Sequence, residues 1–303
     1  MHSIKVNLDR GLGNQLFTLH AGLALAAQRK LPLYIDLTGT QDEKFSRNSS
    51  IENLKIQVQG ASFPIIWVNR IKPSTQILLE RVIHKLAKSS KMGRRYMRQF
   101  RSLTYGYDRK LTEISTPTQI WGNYQSFRYP LELEELGIEV NISVKNPSDW
   151  YLRLNSEAKT ERPISIHLRR GDYANYSDDL GLLSETYFKN AIETYLKKHE
   201  RLGRPIWIFS DSADAAQGLK AFLGLENICV IDPPMDSSSA ESLLLMSRSS
   251  VIITSNSSYS WWAGWIGRAN NLVIVPNPYY KTFSGEFLDH IPPNWQSFPS
   301  DFL

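Results

Sequence analysis

Cysteine is almost absent from this 303-residue chain: Cys229 stands alone. No internal disulfide can form, and a reducing compartment is expected. No apolar run approaches the ~20 residues of a membrane span. A basic leader followed by an apolar core is also missing. The chain goes straight into Ile4-Lys5-Val6-Asn7-Leu8, a strand pattern, so secretory targeting is not expected. Internal repeats and low-complexity stretches are lacking too. These absences point to a cytoplasmic globular protein. Hydrophobic residues at 42% and charged residues at 21% are ordinary for that class, and the length suits one large or two ordinary domains.

The net charge of +5 is unevenly spread. Between residues 70 and 110 stand Lys85, Lys88, Lys91, Arg94, Arg95, Arg98 and Arg101, against few acids, chiefly Glu80 and Asp108. Ile77, Leu78, Val82, Ile83 and Leu86 recur there at helical spacing. Such a basic amphipathic helix either presents a solvated basic face or lies on an anionic membrane surface. No nucleic-acid module accompanies the charge, so a nucleic-acid partner is not expected.

The order of elements reads as α/β in two halves. Strand Lys5–Leu8, the turn Arg10–Gln15, helix Leu16–Lys30 and strand Leu33–Asp36 open the first half, an order that favours a parallel sheet. A helix-like Trp150–Ser156 leads towards the second half. There, strands begin at Ile164, Ile206, Ile228, Val251 and Leu272, alternating with helices from Thr186, Asp214, Ala240 and Tyr259. Domains of 1–155 and 156–303 follow.

Three strand-end loops carry chemistry. In Gly11-Leu12-Gly13-Asn14-Gln15, the glycines let the backbone approach a ligand where a helix points its free amides. Asn14 is either a donor to a phosphate or leaving oxygen, or a plain turn residue. A dinucleotide fingerprint would want a third glycine where Leu16 stands, although Asp36 could supply its acidic residue. In His167-Leu168-Arg169-Arg170-Gly171-Asp172, two rigid guanidinium forks end a buried strand, the place where an open α/β sheet receives an anion. The plain alternative is an arginine paired with Asp172. In Thr254-Ser255-Asn256-Ser257-Ser258, hydroxyls and amides cap a helix start and suit a diphosphate, or simply cap the helix. Trp261 and Trp265, four apart, read as core.

These loops, with Phe209-Ser210-Asp211-Ser212 and the longer runs Gly11–Phe17, His167–Tyr173 and Ser255–Ala263, resemble the bacterial α-1,2-fucosyltransferases of glycosyltransferase family 11. The four motifs occur in the family's order and span nearly the whole chain. The resemblance implies a GT-B-like fold of two Rossmann-like parallel-sheet domains facing a cleft, the second binding GDP-fucose and the first receiving the acceptor. It implies inverting transfer to the 2-hydroxyl of a terminal galactose in a surface glycan. Arg169 would stabilise the β-phosphate, with Arg170, Ser257, Ser258 and Asn256 around the diphosphate. Asn14 and Gly13 would close over it from the first domain, and Glu241 would read guanine. His167 would support base or ribose, and Asp211 would sit at the cleft edge. Asp172 is the candidate base, with Glu185 second. No Asp-x-Asp pair is present, so arginine charge is expected to replace a metal. The acceptor would be a galactose-terminated oligosaccharide, in one version lipid-linked, with the basic segment holding the enzyme at the inner membrane face. The alternatives are another GDP-sugar glycosyltransferase, a nicotinamide-dependent oxidoreductase, which leaves the twin arginines unexplained, and a non-catalytic sugar- or membrane-binding protein.

Overall fold

The computed structural model describes residues 3–37, 51–68, 99–101, 105–113, 119–171, 178–199, 203–282 and 289–303. Most of the basic segment lies outside these residues. The chain forms two compact units: Met1–Ile51 with Ile56–Asn141, and Glu52–Lys55 with Ile142–Leu303. Among the described residues no helix is long and apolar enough to cross a membrane.

The first unit is built on β1 (Ile4–Asn7), β2 (Leu33–Asp36), β4 (Ile65–Val68), β5 (Gln99–Arg101) and β6 (Gln119–Trp121), ordered β4-β2-β1-β6-β5. All pairs are parallel. Helix α1 (Leu12–Arg29) returns the chain from β1 to β2 and is buried from Leu12 to Ala26 on almost every side. Short α2 (Arg109–Glu113) and α3 (Arg128–Glu135) follow. Strands β3 (Leu54–Gln59) and β7 (Glu139–Val144) form a separate two-stranded sheet.

The second unit continues with α4 (Asp149–Glu161), β8 (Ile164–Leu168), α5 (Glu185–Lys198), β9 (Ile206–Ser210), α6 (Ala213–Leu223) and β10 (Ile228–Val230). Then come α7 (Ser239–Met246), β11 (Val251–Ile253), α8 (Ser258–Gly267), β12 (Leu272–Asn277) and β13 (Gln296–Pro299). Its sheet runs β10-β9-β8-β11-β12-β13, again parallel throughout. Every residue of β8 is buried, as a parallel strand covered by helices on both faces requires. Ile164, Ile166 and Leu168 meet Tyr187, Phe188 and Ile192 of α5 in the main core. Trp261 and Trp265 stack at 5.4 Å beside Trp295, so they are core, as read from their spacing.

Two boundaries differ from the sequence reading. Helix α4 falls in the second unit, whose main stretch runs from Ile142 to Leu303, whereas the sequence reading starts the second domain at 156. The Ser148 amide just before it donates to Glu241 Oε1 at 2.6 Å, and α4 packs on α7. Helix α1 begins at Leu12, four residues earlier than expected. The left-handed residue that turns the chain is Arg10, at φ 63°, which frees Gly13 and Asn14 to enter the first helical turn.

Gly22 shows why α1 can lie so close to the sheet: a Cβ there would overlap Val6 Cγ1. Helix propensity alone would make Gly22→Ala stabilising by about 1 kcal/mol. Overpacking should win, giving a net loss of roughly 1–3 kcal/mol in denaturant unfolding, relieved in the Val6→Ala background. A more stable Gly22→Ala protein would contradict this packing.

Candidate active site

In an open parallel sheet, ligands bind outside the carboxyl ends of the strands where successive connections run in opposite directions. In the second unit the chain moves outward from β8 through β9 to β10, then returns to β11 on the other side of β8 and moves on to β12. The reversal lies between β8 and β11. The arginine loop leaves β8 and the serine-rich loop leaves β11, so topology brings the two sequence-selected loops to one crevice. The Asp211 loop leaves the adjacent β9.

The two arginines are held by different acids. Arg169 Nη1 pairs with Asp211 Oδ2 at 2.9 Å, and Arg170 Nη2 with Glu185 Oε1 at 2.9 Å. The Arg170 amide also donates to Asp211 Oδ1 at 2.8 Å. The plain expectation had Asp172 as the arginines' partner. Asp172 lies outside the described residues, and the observed partners come from the end of β9 and the start of α5. Glu185, the second candidate base, is thereby engaged by Arg170.

His167 is buried, and its Nδ1 lies 2.8 Å from Ser255 Oγ. Burial, helped by the positive charge of Arg169, pushes its pKa down to about 3, so the ring is neutral at physiological pH. Tyr259 covers it at a ring separation of 5.5 Å and donates its hydroxyl to the Ser239 carbonyl at 2.5 Å. Ser257 caps α8, accepting from the Tyr259 amide, and Ser258 is the first helical residue. The start of this helix, with its dipole, favours an anion. Thr254, just after β11, keeps a buried hydroxyl without a partner among the described residues.

Two residues expected at the donor make hydrogen bonds within the protein. Asn256 is 1% exposed and its Nδ2 donates to the Leu180 and Gly181 carbonyls at 2.9 Å, so it braces a neighbouring loop. Glu241 is also 1% exposed. Its Oε1 takes the Ser148 amide and its Oε2 the Ser238 amide, closing a capping box at the start of α7. This carboxylate fixes two helix starts, with one backbone amide on each oxygen. The signal was present in Ser238-x-x-Glu241, the capping-box spacing.

In the first unit β1 and β6 are neighbours, and the segments that follow them meet. Asn14 Oδ1 accepts from Gln125 Nε2 at 2.6 Å there, and Arg10 Nη2 donates to the Gly122 carbonyl at 2.9 Å. Gly13 is buried in the first turn of α1. Gln15 stitches the loop, donating to the Arg10 carbonyl and accepting from the Ile51 amide. Asp36, the acid a nicotinamide enzyme would need for ribose, is buried and paired with Lys5 at 2.8 Å. Among the described residues no group of three His, Cys, Asp or Glu side chains could hold a metal ion. Sequence reasoning missed Ser255, Tyr259 and the pairing roles of Asp211 and Glu185, because these contacts join distant segments.

Known proteins resemble the chain over most of its length. Residues 3–298 match the family model of glycosyl transferase family 11. An alpha-1,2-colitosyltransferase of Escherichia coli is 27% identical over 312 residues, 97% of this chain and 98% of that protein. The O-antigen biosynthesis glycosyltransferase WbnK of Escherichia coli is 32% identical over 114 residues, 37% of this chain and 36% of that one. Among solved structures, NodZ alpha-1,6-fucosyltransferase co-crystallized with GDP matches with a TM-score of 0.50 at 13% identity, covering 90% of this chain and 94% of that one. That likeness is one of fold, the GT-B type.

The buried His167 has a pH signature. Its folded pKa lies below the unfolded value, so the unfolded chain binds more protons between the two. The stability it contributes is present above about pH 6.5 and is lost as pH falls towards 3. The slope approaches 1.4 kcal/mol per pH unit within that window. His167→Asn should flatten the acid side of the stability profile measured by urea unfolding. An unchanged profile would show that His167 is not held neutral.

Proposed function

Given that the chain belongs to glycosyltransferase family 11, we propose that it transfers L-fucose from GDP-β-L-fucose, with inversion, to the 2-hydroxyl of a terminal galactose in a surface glycan. One observation supports the donor assignment above all. Two arginines and a serine-capped helix start flank the same strand reversal, and that combination of fixed positive charge and free amides suits a diphosphate.

The chemistry is a single displacement. The galactose 2-oxygen attacks the anomeric carbon of fucose as its bond to the β-phosphate oxygen breaks. The bonding electrons leave with GDP, and the acceptor proton passes to a carboxylate. Negative charge grows on the leaving diphosphate, so Arg169 contributes most by stabilising the transition state. Asp172 is the proposed base. Arginine charge takes the part of a divalent cation, and turnover should persist in excess chelator. Loss of activity restored by manganese would contradict that.

A second reading has a specific support, the colitosyltransferase relative that spans almost the whole chain. Colitose is fucose without its 3-hydroxyl, so the same diphosphate seat would serve either donor. GDP-fucose and GDP-colitose compared on a panel of galactosides decide between them.

The basic segment is proposed to keep the enzyme near an anionic membrane that carries a lipid-linked acceptor. Each basic residue near such a surface contributes on the order of 1 kcal/mol. The expected outcome is co-sedimentation with anionic but not neutral liposomes, weakening with salt. Indifference to anionic liposomes at low salt would remove the proposal.

The donor reading makes one sharp mutational claim. Arg169→Lys keeps the charge but loses the fork, and should cost ~2–4 kcal/mol in kcat/KM. A folded lysine variant with near-native kcat/KM would sink the assigned role.

A further inference from the structure

Asp211 stands at the end of β9, between two fixed points. The Ser212 amide donates back to Ser210 Oγ at 3.1 Å, and Ser212 caps α6. The backbone that carries the carboxylate is therefore pinned on both sides. The carboxylate itself meets three parts of the arginine loop: Oδ2 pairs with Arg169 Nη1 at 2.9 Å, Oδ1 accepts from the Arg170 amide at 2.8 Å, and Gly171 packs against it. A Cβ at Gly171 would overlap Asp211 Oδ2 and push the carboxylate aside.

We infer that Asp211 is the positioning residue of Arg169 and of the turn at 169–171, and that it is not a ligand of the donor's base or sugar. Both carboxylate oxygens face the arginine loop. A carboxylate this close to a diphosphate seat repels the diphosphate, so it works against ground-state binding. Its benefit is orientation. A guanidinium offers five N–H donors in a rigid fork, and the Asp211 contact uses one of them while fixing the plane of the rest. Orientation matters most when charge develops on the leaving group, so the benefit belongs to the transition state.

This role rests on the donor reading above, and it separates binding from turnover. Asp211→Asn keeps an acceptor for the Arg170 amide and removes the charge that aims Arg169. Its kcat should fall at least about tenfold, while GDP affinity by calorimetry stays within about threefold of wild type or tightens. Gly171→Ala displaces the carboxylate with its charge intact and should show the same fall in kcat. The double variant should lose no more than the worse single variant, because both act through one contact. A kcat unchanged in folded Asp211→Asn would overturn the role. So would GDP affinity and KM weakening together with kcat preserved, the signature of a lost ligand, or fully additive losses in the double variant. Wild-type protein that fails to bind GDP overturns the donor reading itself, and this role with it.

Discussion

Two guanidinium groups on consecutive residues repel each other, and the carboxyl edge of the second sheet is built around holding them apart and aimed. Strand β8 ends with Arg169 turned to the acid at the end of β9 and Arg170 turned to the acid that opens α5. Each positive charge thus has its own counter-charge on a different element. The strand beneath is wholly buried, so the arginines have a rigid base. Gly171 suits the same arrangement, since a Cβ there would push the Asp211 carboxylate aside.

Around this pair the unit uses one device repeatedly. Its five described helices start at Ser148, Ser184, Ser212, Ser238 and Ser257. A serine at that position satisfies a helix-start amide and fixes the chain's entry into the helix. Four of these helices, α5 to α8, follow the strand-end loops, so capping and site geometry are the same problem here. Glu241 extends the device by serving Ser148 and Ser238 together. His167, kept neutral beside Arg169, adds a hydrogen-bonding wall without adding a third positive charge.

Much of this was legible in the chain. The β-branched runs at Ile164 and Val251, each ending in polar residues, announced parallel strands and the loops that matter. The halves were legible from the alternation of strands and helices. Long-range pairing was not. Nothing local says that His167 meets Ser255, 88 residues away, or that Asp211 answers Arg169. Strand β7 alternates polar and apolar residues, Glu139 to Val144, with matching exposure, a period-2 signal that was in the sequence and went unread. Glu241 is a different case: its carboxylate serves two helix starts, and the capping-box spacing that says so is in the sequence.

The account depends on where the donor's diphosphate sits. A crystal structure of the GDP complex measures that directly. The diphosphate should lie against Arg169 and the first turn of α8 at Ser257–Ser258, with Asp211 still bridging Arg169 and the Arg170 amide. A diphosphate seated on the Gly11–Gly13 loop of the first unit, with Arg169 untouched, would contradict the account.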